Sequence, residues 1–398
     1  MHTTDSQFAE ETLVLATRLL TEQFSAPVRL GEPQNNSGSN RARVYRCHVL
    51  EGPASTPTSV IVKRAYTVPP AQYNPDSNTM PAWTFLNELA SLQFLRQYVP
   101  EISFVPRLYC GDRASGIMIM EDLGSGKRLD HLLLGNDPQA AEQALLDYAR
   151  VHGILHAQTI GMQDSYLRIR RQLGPVEEAS GYYHNYEWLD ASLYRTASLL
   201  DVTPVPGVGA ELRRLKHAME QPGPFLSFVQ SDACPDNCLY ANGRLHLLDF
   251  EGGRFDHALK EGVYGRVPFP TCWCVYRLPP HLALRMEEIY RKELVKGCSE
   301  AADDKIFYRA VVESCAFWML DFFHTFPLTK LLAQDYKDAA ATARQRIIMR
   351  AELLAQTIAQ FEHLEAIGAT IQHTLEKLRV LWPEATEIAC YPVFDTTI

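Results

Sequence analysis

The run Val229–Gly253, VQSDACPDNCLYANGRLHLLDFEGG, constrains this chain more than any other segment. Asp232 is followed by Asn237, and a strand-like apolar stretch then ends in Asp249-Phe250. Between them, Asn242-Gly243 is a hairpin signal, because both residues tolerate the positive φ that a two-residue turn demands. Leu245 to Leu248 alternates weakly, as a strand does. The expectation is one β-hairpin with Asn237 at its start and Asp249 at its end, so that an amide oxygen and a carboxylate can share one hard cation. A carboxylate at Asp232, in the loop ahead of them, can orient a hydroxyl and take its proton. This is the order and spacing of a phosphoryl-transfer site. Alone, Ser231–Asn237 reads equally well as an ordinary turn, since Asp, Pro and Asn are common turn formers. The hairpin and the second Asp shift the balance toward chemistry.

The loop Gln230-Ser231-Asp232-Ala233-Cys234-Pro235-Asp236-Asn237 and the trio Asp249-Phe250-Glu251 resemble the H-G-D-x-x-x-x-N loop and the metal motif of the aminoglycoside phosphotransferase and choline kinase group, relatives of the protein kinases. The departures are Gln230 in place of His and Ser231 in place of the usual Gly. Gln still donates and accepts hydrogen bonds, so the change bears on loop geometry more than on chemistry. The resemblance runs in order over roughly residues 30 to 265. It implies that Lys63, ending the apolar run Val60-Ile61-Val62, meets the α- and β-phosphates, and that Glu88 on the next helix pairs with it. Ser37, Gly38, Ser39 and Asn40 resemble the family's nucleotide loop, although a bland turn explains that segment as well. In Ile117–Gly124, backbone groups of Glu121 to Leu123 would meet the adenine edge, with Met120 beside the ring. His156, in Leu155-His156-Ala157, is expected to be scaffold. Asp256 and Glu261 read either as facing a cationic acceptor or as a solvated acidic segment.

The first third alternates strand-like runs, at 44–50, 59–65 and 116–120, with helical spacing at 7–24 and 83–98. Beyond Gly124 the helical signal dominates, apart from the hairpin and a stretch from Pro204 to Pro224 that reads as loop. This predicts an α+β chain with the two-lobed protein-kinase-like fold: a small β-rich lobe over 1–122 and a large, mostly helical lobe over 123–398. With 398 residues, 46% of them hydrophobic, a sizeable core is assured. The net charge of −9 argues against nucleic acid and suits a neutral or cationic small molecule. The polar, acidic N-terminus has no signal-peptide pattern. The most apolar helical run, 310–326, carries Glu313, Asp321 and His324, which predicts a buried core helix and no membrane span. Nine cysteines scattered through the chain suit a reducing, cytoplasmic setting. Cys234-x3-Cys238 and Cys272-x-Cys274 do not have the spacings of common zinc modules, and buried free thiols are expected.

Together these features predict a kinase that uses ATP or GTP with Mg2+ on a small hydroxylated substrate. Aminoglycosides, amino alcohols and sugars all remain open as acceptor, as does the oligomeric state. The rival is a nucleotide-binding pseudokinase, motivated by Gln230 and by the single glycine of the 36–46 loop. No A-P-E signature follows Asp249, which disfavours a protein substrate.

Overall fold

A computed structural model describes residues 2–38, 41–66, 73–176, 186–337 and 341–395 of the chain. The fold is α+β and divides into two compact units. The first comprises Met1–Gly126, Met162–Glu178 and Leu239–Arg254; the second comprises Lys127–Gly161, Ala179–Cys238 and Phe255–Ile398.

In the first unit, helix α1 (His2–Phe24) precedes strands β1 (Arg29–Leu30), β2 (Gln34–Gly38), β3 (Ala42–Glu51) and β4 (Ser59–Ala65). Helix α2 (Ala82–Tyr98) and strands β5 (Leu108–Asp112) and β6 (Ile117–Glu121) follow. The sheet is antiparallel, in the order β1-β3-β4-β6-β5, with β2 pairing β3 at its side. Alternation sorts the strand residues by face. Val60 and Val62 of β4 and Ile117 and Ile119 of β6 form one cluster with Ala16 and Leu20 of α1. Lys63, one residue on and opposite Met118 in the β4–β6 register, therefore points to the other face. Helix α2 is buried almost all round, from Ala82 to Leu95, as an internal helix must be. A polar residue on it consequently needs a partner. Gly111 of β5 permits this packing, since a Cβ there would lie 2.4 Å from Leu89 of α2.

The second unit is helical. Pro138–Thr159 packs on Pro280–Leu294 so closely that a Cβ on Gly153 would meet the Tyr290 carbonyl at 2.7 Å. Helix starts carry side-chain caps. Asp137 accepts from the Ala140 N–H, Asp303 from Lys305 and Ile306, and Thr342 forms a capping box with Gln345. The helix Asp304–Thr325 is core, as its sequence predicts. Among the described residues no helix is long and apolar enough to cross a membrane. One expectation fails locally. Pro204 to Pro224 is not loop throughout but carries the helix Val208–Glu220, which buries Val208, Leu212, Leu215 and Met219 along one face. Prolines and glycines gather outside that helix and at its start, where the N-cap Gly207 takes φ 103° and Gly209 lies in the first turn, so they punctuate it without breaking it.

His257 of this unit is 2% exposed, stacks on Phe225 and accepts the Leu259 N–H at Nδ1. Burial pulls its pKa from 6.5 down to about 4. A depressed histidine binds protons more weakly folded than unfolded. Its contribution is therefore complete above pH 6.5 and is lost as the pH falls toward 4. Up to about 3 kcal/mol of stability should disappear across that window. Urea unfolding of wild type and of His257→Asn, which keeps an acceptor near Nδ1, tests this. The variant should show a flatter acid limb, and an identical pH dependence would remove His257 from the account.

Candidate active site

The first unit brings three of the sequence-predicted residues together. Lys63 Nζ lies 2.6 Å from Glu88 Oε2 and 3.0 Å from Asp249 Oδ1. The alternation of β4 turns Lys63 toward α2, and the burial of α2 forces Glu88 to find a cation. Their side chains are 14% and 4% exposed, whereas Asp249 is 36% exposed. Burial alone would lower the Lys63 pKa, but the carboxylates of Asp249 and Glu88 outweigh it and hold the ammonium charged. Burial pushes the Glu88 carboxyl up, with Asp249 and Glu251 adding to the rise and Lys63 opposing it. Three carboxylates thus gather where Lys63, with Arg41 at 2.7 Å from Glu251, supplies the positive charge. Three carboxylates against one lysine and one arginine leave a surplus of carboxylate oxygen, most accessible at Asp249, that fits a hard divalent cation with phosphate oxygens.

The segment after Asp249 is pinned to α2 from below. Asn87 Nδ2 donates to the carbonyls of Glu251 and Gly253, at 2.9 and 2.7 Å. Tyr166, on the helix Gln163–Leu173, places its hydroxyl 2.7 Å from the Gly253 carbonyl and 2.9 Å from Asn87 Oδ1. Asp249 itself adopts φ 58°, a left-handed conformation unusual for a residue with a side chain. Such backbone persists only where the surroundings fix it, and it gathers at functional sites. Asn87, Tyr166 and Arg41 are site residues that the sequence reading missed. Asn87 adjoins Glu88 and Arg41 lies within the 36–46 loop, but neither carried a residue-level signal of its own.

The predicted hairpin is present, with strands Cys238–Ala241 and Arg244–Leu247 around Asn242 and Gly243, both at positive φ. Asn237 closes the short turn Pro235–Asn237 that leads into it.

In the second unit, Asp232 and Asn237 are coupled directly. Asn237 Nδ2 donates to the Asp232 carbonyl at 2.9 Å and lies 3.2 Å from Asp232 Oδ2. With its nitrogen engaged, the Asn237 side chain has its oxygen as the donor for a cation. Behind them, a buried network holds the loop. Ser231, at φ 75°, donates its N–H to Glu261 Oε1 at 2.6 Å. Glu261 Oε2 lies 3.0 Å from His156 Nε2, and His156 Nδ1 lies 2.8 Å from the Tyr290 hydroxyl. Tyr148 donates to the Ala233 carbonyl at 2.8 Å. Gln230 is fully buried beneath the loop, so the residue that departs from the motif is part of the scaffold. His156 is scaffold too. Burial would raise the Glu261 carboxyl, but the His156 hydrogen bond and charge hold it below its ordinary value.

This corrects the reading of the acidic residues after the metal motif. Glu261 is 3% exposed and committed to Ser231 and His156, and Asp256 is 2% exposed and paired with Lys260 at 2.9 Å. Neither faces solvent or a ligand. A long-range demand, the orphan N–H of a strained loop, decides where Glu261 goes, and no local pattern signals it. Glu261→Ala would strand that N–H and the imidazole, at a cost of roughly 3–5 kcal/mol. Urea unfolding measures it, and wild-type stability in the variant would take Glu261 out of the scaffold.

The residues expected to meet the base lie on and just after β6. Met120 and Leu123 are each 9% exposed. Glu121 donates its N–H to the Arg107 carbonyl at 2.8 Å and accepts the Arg107 N–H at 3.1 Å. Asp122 ties the end of this segment to β3 and β4 through Arg46 and Ser59. Ser37 and Gly38 end β2, registered against Val44 and Arg43 of β3. Ser39 and Asn40 lie outside the described residues.

No family model and no curated protein matches this chain. The chain is similar to solved small-molecule kinases. Amicoumacin kinase hAmiN, in complex with AMP-PNP and Ca2+, matches at 14% identity over 90% of this chain and 96% of that one, with a TM-score of 0.45. The streptomycin–ATP–APH(2″)-IIa ternary complex matches at 13% identity over 79% and 94%, with a TM-score of 0.44. The choline kinase LicA from Streptococcus pneumoniae matches at 12% identity over 86% and 98%, with a TM-score of 0.39. At such identities the functional reading rests on this chain's own side chains.

Proposed function

We propose that this protein is a nucleotide-dependent kinase that transfers the γ-phosphoryl group of ATP or GTP to a hydroxyl of a small molecule. The observation that carries the reading is the Lys63–Glu88–Asp249 constellation, with Nζ 2.6 and 3.0 Å from its two carboxylates. A buried lysine kept charged by a helix glutamate is a fixed cation for α- and β-phosphate oxygens. Mg2+, when bound, supplies charge neutralisation of the phosphates. Asp249 and Asn237 are its proposed oxygen donors. Asp232, anchored through Asn237 and through the Ser231–Glu261 bond, would orient the acceptor hydroxyl and take its proton. Backbone groups of Glu121 to Leu123, with Met120, would receive the base. Backbone groups of Ser37 and Gly38 would approach the phosphates. A net charge of −9 suits an amine-bearing acceptor.

The test is phosphoryl transfer from ATP and GTP, with Mg2+, to a panel of aminoglycosides, amino alcohols and sugars. Nucleoside diphosphate release and the acceptor mass are the two readouts. One acceptor gaining a phosphate supports the proposal. Tight Mg-nucleotide binding with no transfer to any of them would move the protein to the pseudokinase reading.

A further inference from the structure

The loop that carries Asp232 holds a second constellation, and it touches that residue, since Cys234 Sγ donates to Asp232 Oδ1 at 3.0 Å. Cys234 Sγ, a carboxylate oxygen of Asp236 and Cys272 Sγ all lie within 4.8 Å of one another. Neither Cys234-x3-Cys238 nor Cys272-x-Cys274 has the spacing of a common zinc module, but the fold brings Cys234 to Cys272. Cys274 adds a third sulfur, 2.9 Å from Cys272 Sγ. All three thiols are buried, at 3%, 3% and 0% exposure.

Two features distinguish this cluster from ordinary core cysteines. Asp236 Oδ1 is buried and has no hydrogen-bond partner among the described residues, while its Oδ2 accepts from Trp273 Nε1 at 3.2 Å. A shielded carboxylate oxygen beside two sulfurs is costly unless a cation meets it. Cys272 Sγ also accepts the Cys274 N–H at 3.3 Å. A backbone N–H aimed at sulfur stabilises a thiolate and is the kind of outer bond that orients metal ligands. The 270–274 segment is itself held in place. Arg346 donates to the Trp273 carbonyl and Arg350 to the Pro270 carbonyl, at 2.7 and 2.8 Å.

We propose that Cys234, Asp236 and Cys272, with Cys274 as the fourth donor, bind a thiophilic divalent cation of the Zn2+ type. Sulfur donors at about 2.3 Å from a tetrahedral ion stand roughly 3.8 Å apart; the donor atoms of Cys234, Asp236 and Cys272 already lie within 4.8 Å of one another, and Cys274 Sγ, 2.9 Å from Cys272 Sγ, would turn away from it to complete the set. Binding releases the thiol protons to solvent and leaves thiolates on the ion. The cation would tie the Asp232 loop to the 270–274 segment, stiffening the ground on which Asp232 and Asn237 stand. It is chemically distinct from the all-oxygen magnesium site and is independent of the kinase reading.

Untagged, reduced and chelator-treated full-length protein should be titrated with Co2+. The expected result is saturation at one ion per chain, with a thiolate-to-cobalt charge-transfer band and intense tetrahedral d–d absorption, both displaced by Zn2+. The band should vanish in Cys234→Ser/Cys272→Ser and persist in Cys110→Ser. Asp236→Asn, which preserves shape, should weaken Co2+ by about tenfold or more. Circular dichroism confirms that each variant is folded, and the Asp236→Asn affinity carries the test if the double variant is not. Absence of the thiolate band in wild type, its persistence in a folded double variant, or unchanged affinity in Asp236→Asn overturns the proposal.

Discussion

Asp232→Asn is expected to lower the rate of phosphoryl transfer by about a thousandfold while leaving nucleotide affinity within about twofold of wild type. General-base assistance contributes about 10²–10⁴, and the amide keeps the shape of the carboxylate but cannot take a proton. The variant should also fold normally. The change touches only the side-chain bonds from Cys234 Sγ and Asn237 Nδ2, at 3.0 and 3.2 Å, while the Asp232 carbonyl still accepts from Asn237 Nδ2 at 2.9 Å and the Ser231–Glu261 bond does not involve the changed group. Product release under saturating acceptor reads the rate, and equilibrium titration reads the affinity. A variant that keeps a tenth of the wild-type rate would show that Asp232 is not the base.

The largest binding effect is expected at Asp249. Asp249→Asn removes the half-exposed carboxylate that faces Lys63 at 3.0 Å and is the proposed principal cation ligand. Mg-nucleotide affinity should fall by at least about 100-fold, and turnover should be lost. Affinity for the metal-free nucleotide should change far less, because Lys63 stays charged through Glu88 at 2.6 Å. Calorimetric titration with and without Mg2+ separates the two. Equal losses under both conditions would mean that Asp249 only holds Lys63 in place and contacts no metal.

The residues read from sequence were those governed by local pattern. Strand alternation puts Val60 and Val62 into the core and so turns Lys63 away from it. The Asn242-Gly243 turn is legible because its backbone demands are specific to those residue types. What was not legible depends on distant partners. Asn87, Tyr166 and Arg41 matter because of where residues 251–253 pass, and Glu261 because of one N–H thirty residues earlier. Asp256 looked solvated for the same reason, since its partner Lys260 is itself buried, between Tyr186 and Phe317. The helix Val208–Glu220 was hidden by the prolines and glycines around its ends, although Leu212, Leu215 and Met219 recur at helical spacing. The cysteines are free and mostly buried, as expected, but the approach of Cys272 to Cys234 across thirty-eight residues of sequence has no local signal.

The central claim is a nucleotide site built around Lys63 and Asp249. The most direct measurement is thermal unfolding of the purified protein with ATP, GTP or ADP, each with and without Mg2+, repeated on Asp249→Ala. A ligand at 100 times its dissociation constant stabilises the fold by about 2.7 kcal/mol. The expected result is a Mg2+-dependent rise in Tm with ATP or GTP that disappears in Asp249→Ala. No rise with any nucleotide, with or without Mg2+, would contradict the account.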